Sequence, residues 1–173
     1  MIKVSIITPI YKGKKYIPQL SNMISTCAIE AQNYADVEWI ISNDDPDSPM
    51  NEDILVPNVE VLVLQTDKNR GIQGARVKGL EKSTGDYILF LDQDDVIYPE
   101  WVRSQVLAIG DADACVCDAL DFGLPMYDNN SRPSIWECIS EEYNINRYIG
   151  FNMGQTLIKK WQFHCLVSQQ RKD

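Results

Sequence analysis

The chain predicts an α/β fold, a mostly parallel sheet with helices on both faces. Three observations carry that expectation. Short apolar, β-branched runs alternate along the chain with stretches of helical spacing. Two of those runs stop abruptly in clusters of aspartates, where the carboxyl ends of strands open onto a site. And 173 residues suit one domain with a substantial core.

The elements follow in order. Residues 4–8 are a β-branched run closed by Pro9, the first strand. Residues 14–31 show helical spacing, with Leu20, Met23, Ile24, Cys27, Ala28 and Ala31 on one face and Pro18 tolerated in the first turn. That stripe is core. Residues 38–42 form a second strand, ending in Asn43-Asp44-Asp45-Pro46-Asp47. Residues 59–64 are a third, and 74–82 a helix closed by Ser83-Thr84-Gly85. The run 87–91, bounded in front by Gly85-Asp86, is a buried fourth strand that delivers Asp92, Asp94 and Asp95. A helix at 101–109 and a fifth strand at 114–118 come next. Residues 121–133, rich in Gly, Pro, Asn and Asp, read as a loop, and 134–148 as holding a short helix. Residues 152–160 are one more strand, with Thr156-Leu157-Ile158 buried, and 168–173 a polar end.

Composition excludes several classes. A net charge of −9 argues against nonspecific binding to nucleic acid or to an acidic membrane surface. It leaves a nucleotide ligand open, because a metal and a few basic residues supply local positive charge. The first apolar run is too short for a signal peptide, and no stretch approaches the roughly 20 apolar residues that span a bilayer. A cytoplasmic protein with free thiols is therefore expected. Cys27, Cys115, Cys117, Cys138 and Cys165 are an odd set without zinc-like spacing. His164, the only histidine, has no Ser or Cys elbow to serve and reads as incidental.

The acidic clusters carry the chemistry. Three carboxylates within four residues repel unless a cation or a proton offsets them. Hard oxygen ligands of this kind suit Mg²⁺ or Mn²⁺. The plainer alternative is a solvated acidic turn leading into Pro99-Glu100-Trp101. For Asp44 and Asp45 the alternative is a helix cap or turn. Two such clusters on one sheet edge predict a shared cleft.

The order of these pieces resembles the family 2 glycosyltransferases, nucleotide-sugar enzymes with the GT-A fold. Four segments match in sequence order, over roughly residues 2–120. Residues 4–11, ending in Pro9-Ile10-Tyr11, look like the family's opening strand and its Pro-x-Tyr turn. Residues 39–45 look like its second strand. Asn69-Arg70-Gly71-Ile72-Gln73-Gly74-Ala75-Arg76 is similar to its Asn-x-Gly-x-x-x-Ala-Arg segment. Residues 85–95 resemble its Gly-[Asp/Glu]-Tyr strand and Asp-x-Asp motif.

The resemblance implies roles. Pro9 shapes a loop and Tyr11 packs on a base or ribose. Asp45, with Asp44, accepts the imide N–H of uracil. Arg70 or Arg76 meets nucleotide or phosphate, or Arg76 pairs with an aspartate and holds the cleft together. Asp92 and Asp94, with Asp95 close by, hold Mn²⁺ or Mg²⁺, and one of them holds the ribose or donor sugar. The implied reaction is metal-dependent, inverting transfer of a sugar from a nucleotide donor, most often a UDP-sugar. The acceptor hydroxyl belongs to a saccharide or lipid-linked saccharide, in surface polysaccharide synthesis. Nucleic acid is not a partner. The place is the cytoplasm, at the inner face of the membrane through other proteins.

Residues 1–120 are thus expected to be the nucleotide-sugar-binding part, and 121–173 a partial acceptor-side segment within the same domain. Here the chain departs from the pattern. The family's acidic base motif follows a segment like 154–160, and only 161–173 remain beyond it. Asp118, Glu141 and Glu142 are the remaining acidic candidates, none in the family's motif, so the catalytic base is unassigned. A catalytically silent nucleotide-sugar-binding module is the competing function. A dinucleotide fold is disfavoured, because Gly71-Ile72-Gln73-Gly74 lacks the Gly-x-Gly-x-x-Gly spacing.

Overall fold

The structure, a computed structural model, describes residues 1–50, 53–117 and 156–160. Six strands form one sheet in the order β3-β2-β1-β4-β6-β5. They are β1 (Ile2–Ile10), β2 (Ala35–Asn43), β3 (Glu60–Gln65), β4 (Tyr87–Phe90), β5 (Ala114–Val116) and β6 (Thr156–Lys159). The helices are α1 (Ile17–Ala31), α2 (Gly71–Lys82) and α3 (Trp101–Ile109). The expected α/β class holds. Strands β1 to β4 pair in parallel, while β6 enters antiparallel between β4 and β5. The buried Gln105 of α3 accepts the N–H of Leu157 at 3.1 Å and so anchors β6.

Alternation along the strands divides the core in two. Val4, Ile6, Trp39, Ile41 and Leu89 face the side covered by α1 and α3, whose Leu20, Ile24, Val102 and Val106 join the same cluster. Ile7, Ile40, Ile88 and Phe90 face the other side, against Leu80 of α2. Strands buried on both faces read as continuous apolar runs, which is why they were legible. Helix α2 lies directly on the sheet: a Cβ on Gly79 would fall 2.4 Å from Ile7 Cγ2.

The first strand runs further than the sequence suggests. Pro9 does not close it; pairing with β2 continues to Ile10, opposite Asn43. The reason lies in which way the backbone points. Ile7 O accepts from Leu91 N on the β4 side, and Ile10 O from Asp44 N on the β2 side. Successive residues alternate, so Pro9 faces the β4 side, where that ladder has already ended at Ile7. A residue without an N–H costs no ladder bond there. Pro9 marks the point where the sheet opens.

Other boundaries shift as well. Strand β2 begins at Ala35 rather than residue 38, and helix α2 at Gly71 rather than residue 74, with Gly71 at φ +72°. Strand β5 ends at Val116. The expected loop at 121–133, helix at 134–148, polar end at 168–173, and Cys138, Cys165 and His164 lie outside the described residues.

Candidate functional site

The chain adds β2 and β3 on one side of β1, then crosses over through α2 to place β4 on the other. A crevice outside the carboxyl ends at such a switch point is where open α/β sheets bind ligands. The crevice is present, with a volume of about 320 Å³. Pro9, Ile10 and Tyr11 line it from the end of β1, and Asp44 from the end of β2. Asn69, Gly71, Ile72 and Ala75 close it from the start of α2, and Asp92, Gln93 and Asp94 from the end of β4.

Asp44 and Asp45 part company. Both are buried, at 3% and 4% exposure, but only Asp44 lines the cleft. Its two carboxylate oxygens accept the N–H of Arg70 at 3.0 and 2.9 Å, at the N-cap of α2. An acid in that place satisfies an orphan donor and faces the positive end of the helix. Asp45, expected as the leading base contact, takes part in a turn. Its Oδ1 accepts the N–H of Asp47 at 3.2 Å, and its carbonyl accepts Gln65 Nε2 at 3.1 Å. Such an Asx turn is the plainer alternative for this pair, and it engages Asp45 through Oδ1.

The two arginines also separate. Arg76 lies one helical turn before Gly79, so it faces the sheet. It is 8% exposed, rests over the Phe90 ring at 5.6 Å, and pairs through Nη2 with Asp92 Oδ1 at 2.7 Å. It does not line the cleft; it holds Asp92. Arg70 points elsewhere, pairing with the exposed Asp67 at 2.8 Å.

Asp92 is half-buried, while Asp94 and Asp95 are exposed, and Asp95 N donates to Asp92 O at 3.2 Å. Asp95 is not among the cleft's lining residues. Its carboxyl is pushed above the ordinary aspartate range, by local desolvation and by the charges of Asp92 and Asp94. Among the described residues no three His, Cys, Asp or Glu side chains are grouped to hold a metal ion. Any cation here would draw remaining ligands from a bound anion or from water, as Mg²⁺ and Mn²⁺ sites commonly do. The donor set itself, hard oxygens whose mutual repulsion a cation relieves, fits such an ion.

Two features escaped the sequence reading. Gln93, in the middle of Asp92-Gln93-Asp94, hydrogen-bonds the Tyr11 backbone. At the other end of the sheet Glu38 is buried among Ser5, Thr84 and Lys3. Both join residues far apart in sequence, and neither leaves a local signal. The acidic candidates Asp118, Glu141 and Glu142 lie outside the described residues.

An open sheet with aspartates and a Pro-x-Tyr turn around its switch-point cleft is the architecture of the GT-A class. The chain belongs to glycosyl transferase family 2, whose model matches residues 5–169. An uncharacterized glycosyltransferase of Haemophilus influenzae is 35% identical over 106 residues, which is 60% of this chain and 40% of that protein. One of Bacillus subtilis is 30% identical over 118 residues, 68% of this chain and 42% of that protein. The chain thus spans less than half the length of these relatives. Among solved structures, S. aureus TarS 1–349 superposes with a TM-score of 0.55 at 22% identity, covering 72% of this chain and 38% of that one. The mannosyltransferase PcManGT of Pyrobaculum calidifontis, solved with GDP-Man and Mn²⁺, gives 0.51 at 17% identity over 66% of this chain and 34% of its own. At such identities the likeness establishes the fold. Among the described residues no helix is long and apolar enough to cross a membrane.

Proposed function

We propose that this chain holds the donor site of a glycosyltransferase that moves a sugar from a nucleotide donor, a UDP-sugar, to an acceptor hydroxyl. The observation that carries the reading is the cleft. It is lined by an aromatic, Tyr11, by a buried carboxylate, Asp44, and by the Asp92–Asp94 turn. TarS solved with UDP-GlcNAc and PcManGT solved with GDP-Man support a nucleotide-sugar ligand for this architecture.

In this reading Tyr11 packs on the base or ribose, and Asp44, rather than Asp45, accepts the imide N–H of uracil. Arg76 holds Asp92 in place through their ion pair. Asp94, with Asp92 and Asp95 beside it, would hold Mn²⁺ or Mg²⁺ together with diphosphate oxygens. Such a cation would supply charge neutralisation for the departing nucleotide. Transfer then proceeds in line, with inversion. Residues 1–120 serve the donor and 121–173 begin the acceptor side. The acceptor is a saccharide or lipid-linked saccharide of surface polysaccharide synthesis, met in the cytoplasm at the inner face of the membrane.

One observation favours a second reading, a catalytically silent nucleotide-sugar-binding module. Among the described residues the carboxylates lining the cleft are Asp44, Asp92 and Asp94, each already assigned to base or metal in this reading, and none of these is left as general base. Loss of that base lowers transfer by about 10²–10⁴. Calorimetric titration of UDP with Mn²⁺ and then with chelator, in wild type and Asp94→Ala, tests the donor site. Metal-dependent binding that the substitution weakens at least about tenfold is expected, equivalent to about 1.4 kcal/mol. Absence of binding under every condition sinks both readings, whereas binding without turnover on any acceptor selects the second.

A further inference from the structure

Gln93 sits where an Asp-x-Asp motif has its spacer, yet its side-chain amide closes a ring with the backbone of Tyr11. Tyr11 N donates to Gln93 Oε1 at 3.0 Å, and Gln93 Nε2 donates to Tyr11 O at 3.3 Å. No strand supplies pairing at this point, because the ladder between β1 and β4 stops at Ile7 and Phe90. The amide replaces the missing strand across the mouth where the two strands diverge. The turn it grips holds Lys12 in the left-handed region, at φ 53°, which a residue with a side chain seldom adopts. Gly13 completes the arrangement: a Cβ there would fall 2.0 Å from Gln93 Oε1. Its φ of −115° is open to any residue, so what the glycine supplies is room.

Tyr11 and Asp94 both line the cleft, and Gln93 is the covalent neighbour of one and the hydrogen-bonded partner of the other. We propose that Gln93 is a positioning residue that sets the distance between the base-binding turn at Tyr11 and the Asp92–Asp94 turn, so that a nucleoside diphosphate meets both turns at once. The proposal rests on the donor-site reading above. A ligand that touches both turns depends on the spacing between them; a ligand that touches one does not.

The test uses residues 1–173 and two substitutions that disturb the ring independently. Gln93→Ala removes the amide. Gly13→Ala keeps it and displaces it, a small change because the clash is with the far end of a flexible side chain. Affinities for UDP with Mn²⁺, for uridine and for Mn²⁺ alone are measured by calorimetry and NMR titration, alongside the urea midpoint. Loss of the fixed spacing predicts that both substitutions weaken UDP about fivefold to tenfold. Uridine and Mn²⁺ affinities should stay at wild-type values, while the urea midpoint falls modestly in Gln93→Ala, which loses two intramolecular hydrogen bonds, with the chain still folded under the titration conditions. UDP affinity unchanged in both variants overturns the proposal, and so does uridine weakening in step with UDP, which is the signature of a merely distorted Tyr11 turn. A wild-type chain that binds no UDP overturns the donor-site reading, and the coupling falls with it.

Discussion

Glu38 and the Asp92–Asp95 turn are carboxylates at opposite ends of the same sheet, and their surroundings treat charge in opposite ways. Glu38 lies near the amino ends of β1 and β4, 5% exposed. Ser5 Oγ and Thr84 Oγ1 donate to it at 2.5 Å, Thr84 N at 2.6 Å, Gly85 N at 3.2 Å, and Lys3 Nζ pairs with it at 2.9 Å. Burial alone would raise its carboxyl, but these donors win and hold it at about 2. At the carboxyl ends, Asp95 is pushed up by desolvation and by two like charges. One carboxylate is satisfied by the chain that folds around it. In the other group Arg76 pairs with Asp92, while Asp95 stands against the like charges of Asp92 and Asp94. The difference teaches which acids hold the fold and which are kept for a ligand, since a site that binds must leave some of its interactions unmade.

The comparison breaks most readily at Glu38. Glu38→Ala leaves the Ser5 and Thr84 hydroxyls and the Thr84 N–H without their acceptor, while Lys3 keeps Glu60 and Gly85 N keeps Ser5 Oγ, and is expected to cost about 3–5 kcal/mol of stability. Urea unfolding measures it, and a loss below about 1 kcal/mol would mean that water replaces the carboxylate easily. Acid gives the next largest effect. A carboxyl lowered from 4.5 to about 2 contributes stability that is complete above pH 4.5 and is lost as pH falls through 2. The contribution is about 3 kcal/mol, and the corresponding slope in unfolding free energy between pH 4.5 and 2 should vanish in Glu38→Gln. The smallest effect has the opposite sign. Asp95 is raised, so its ionised form is disfavoured in the fold, and Asp95→Asn should leave stability at pH 7 unchanged or higher by up to about 0.5 kcal/mol. A clear loss of stability there would show that the acidic turn is structural, and would erase the contrast with Glu38.

Much of this was open to sequence reading, for reasons that differ between elements. The runs at β1, β2 and β4 are apolar on both faces, so their existence and direction needed no tertiary knowledge. The amphipathic stripe of α1 was equally plain, and Leu20, Ile24, Cys27, Ala28 and Ala31 are buried as expected. Helix α2 was harder. Gly71, Gly74 and Gly79 weaken its helical signal, and its start is decided by Asp44, 26 positions earlier, accepting the N–H of Arg70. Which of Asp44 and Asp45 faces the cleft was beyond reach too, because adjacent residues leaving a strand point to opposite sides and the strand's last residue was uncertain by one.

By itself, then, the sequence determined the α/β class, the order of its strands and the two acidic strand ends, since each follows from local periodicity and from residues adjacent in the chain. Only the tertiary structure decided that Arg76 belongs to Asp92, that Gln93 clasps Tyr11, that β6 slots antiparallel between β4 and β5, and that Glu38 is a buried anchor rather than a strand's first polar residue. Those are contacts between residues from 16 to 82 positions apart. A hydrogen bond or an ion pair reaches about 3 Å in space but leaves no period along the chain, so its partner is known only once the backbone has brought it there.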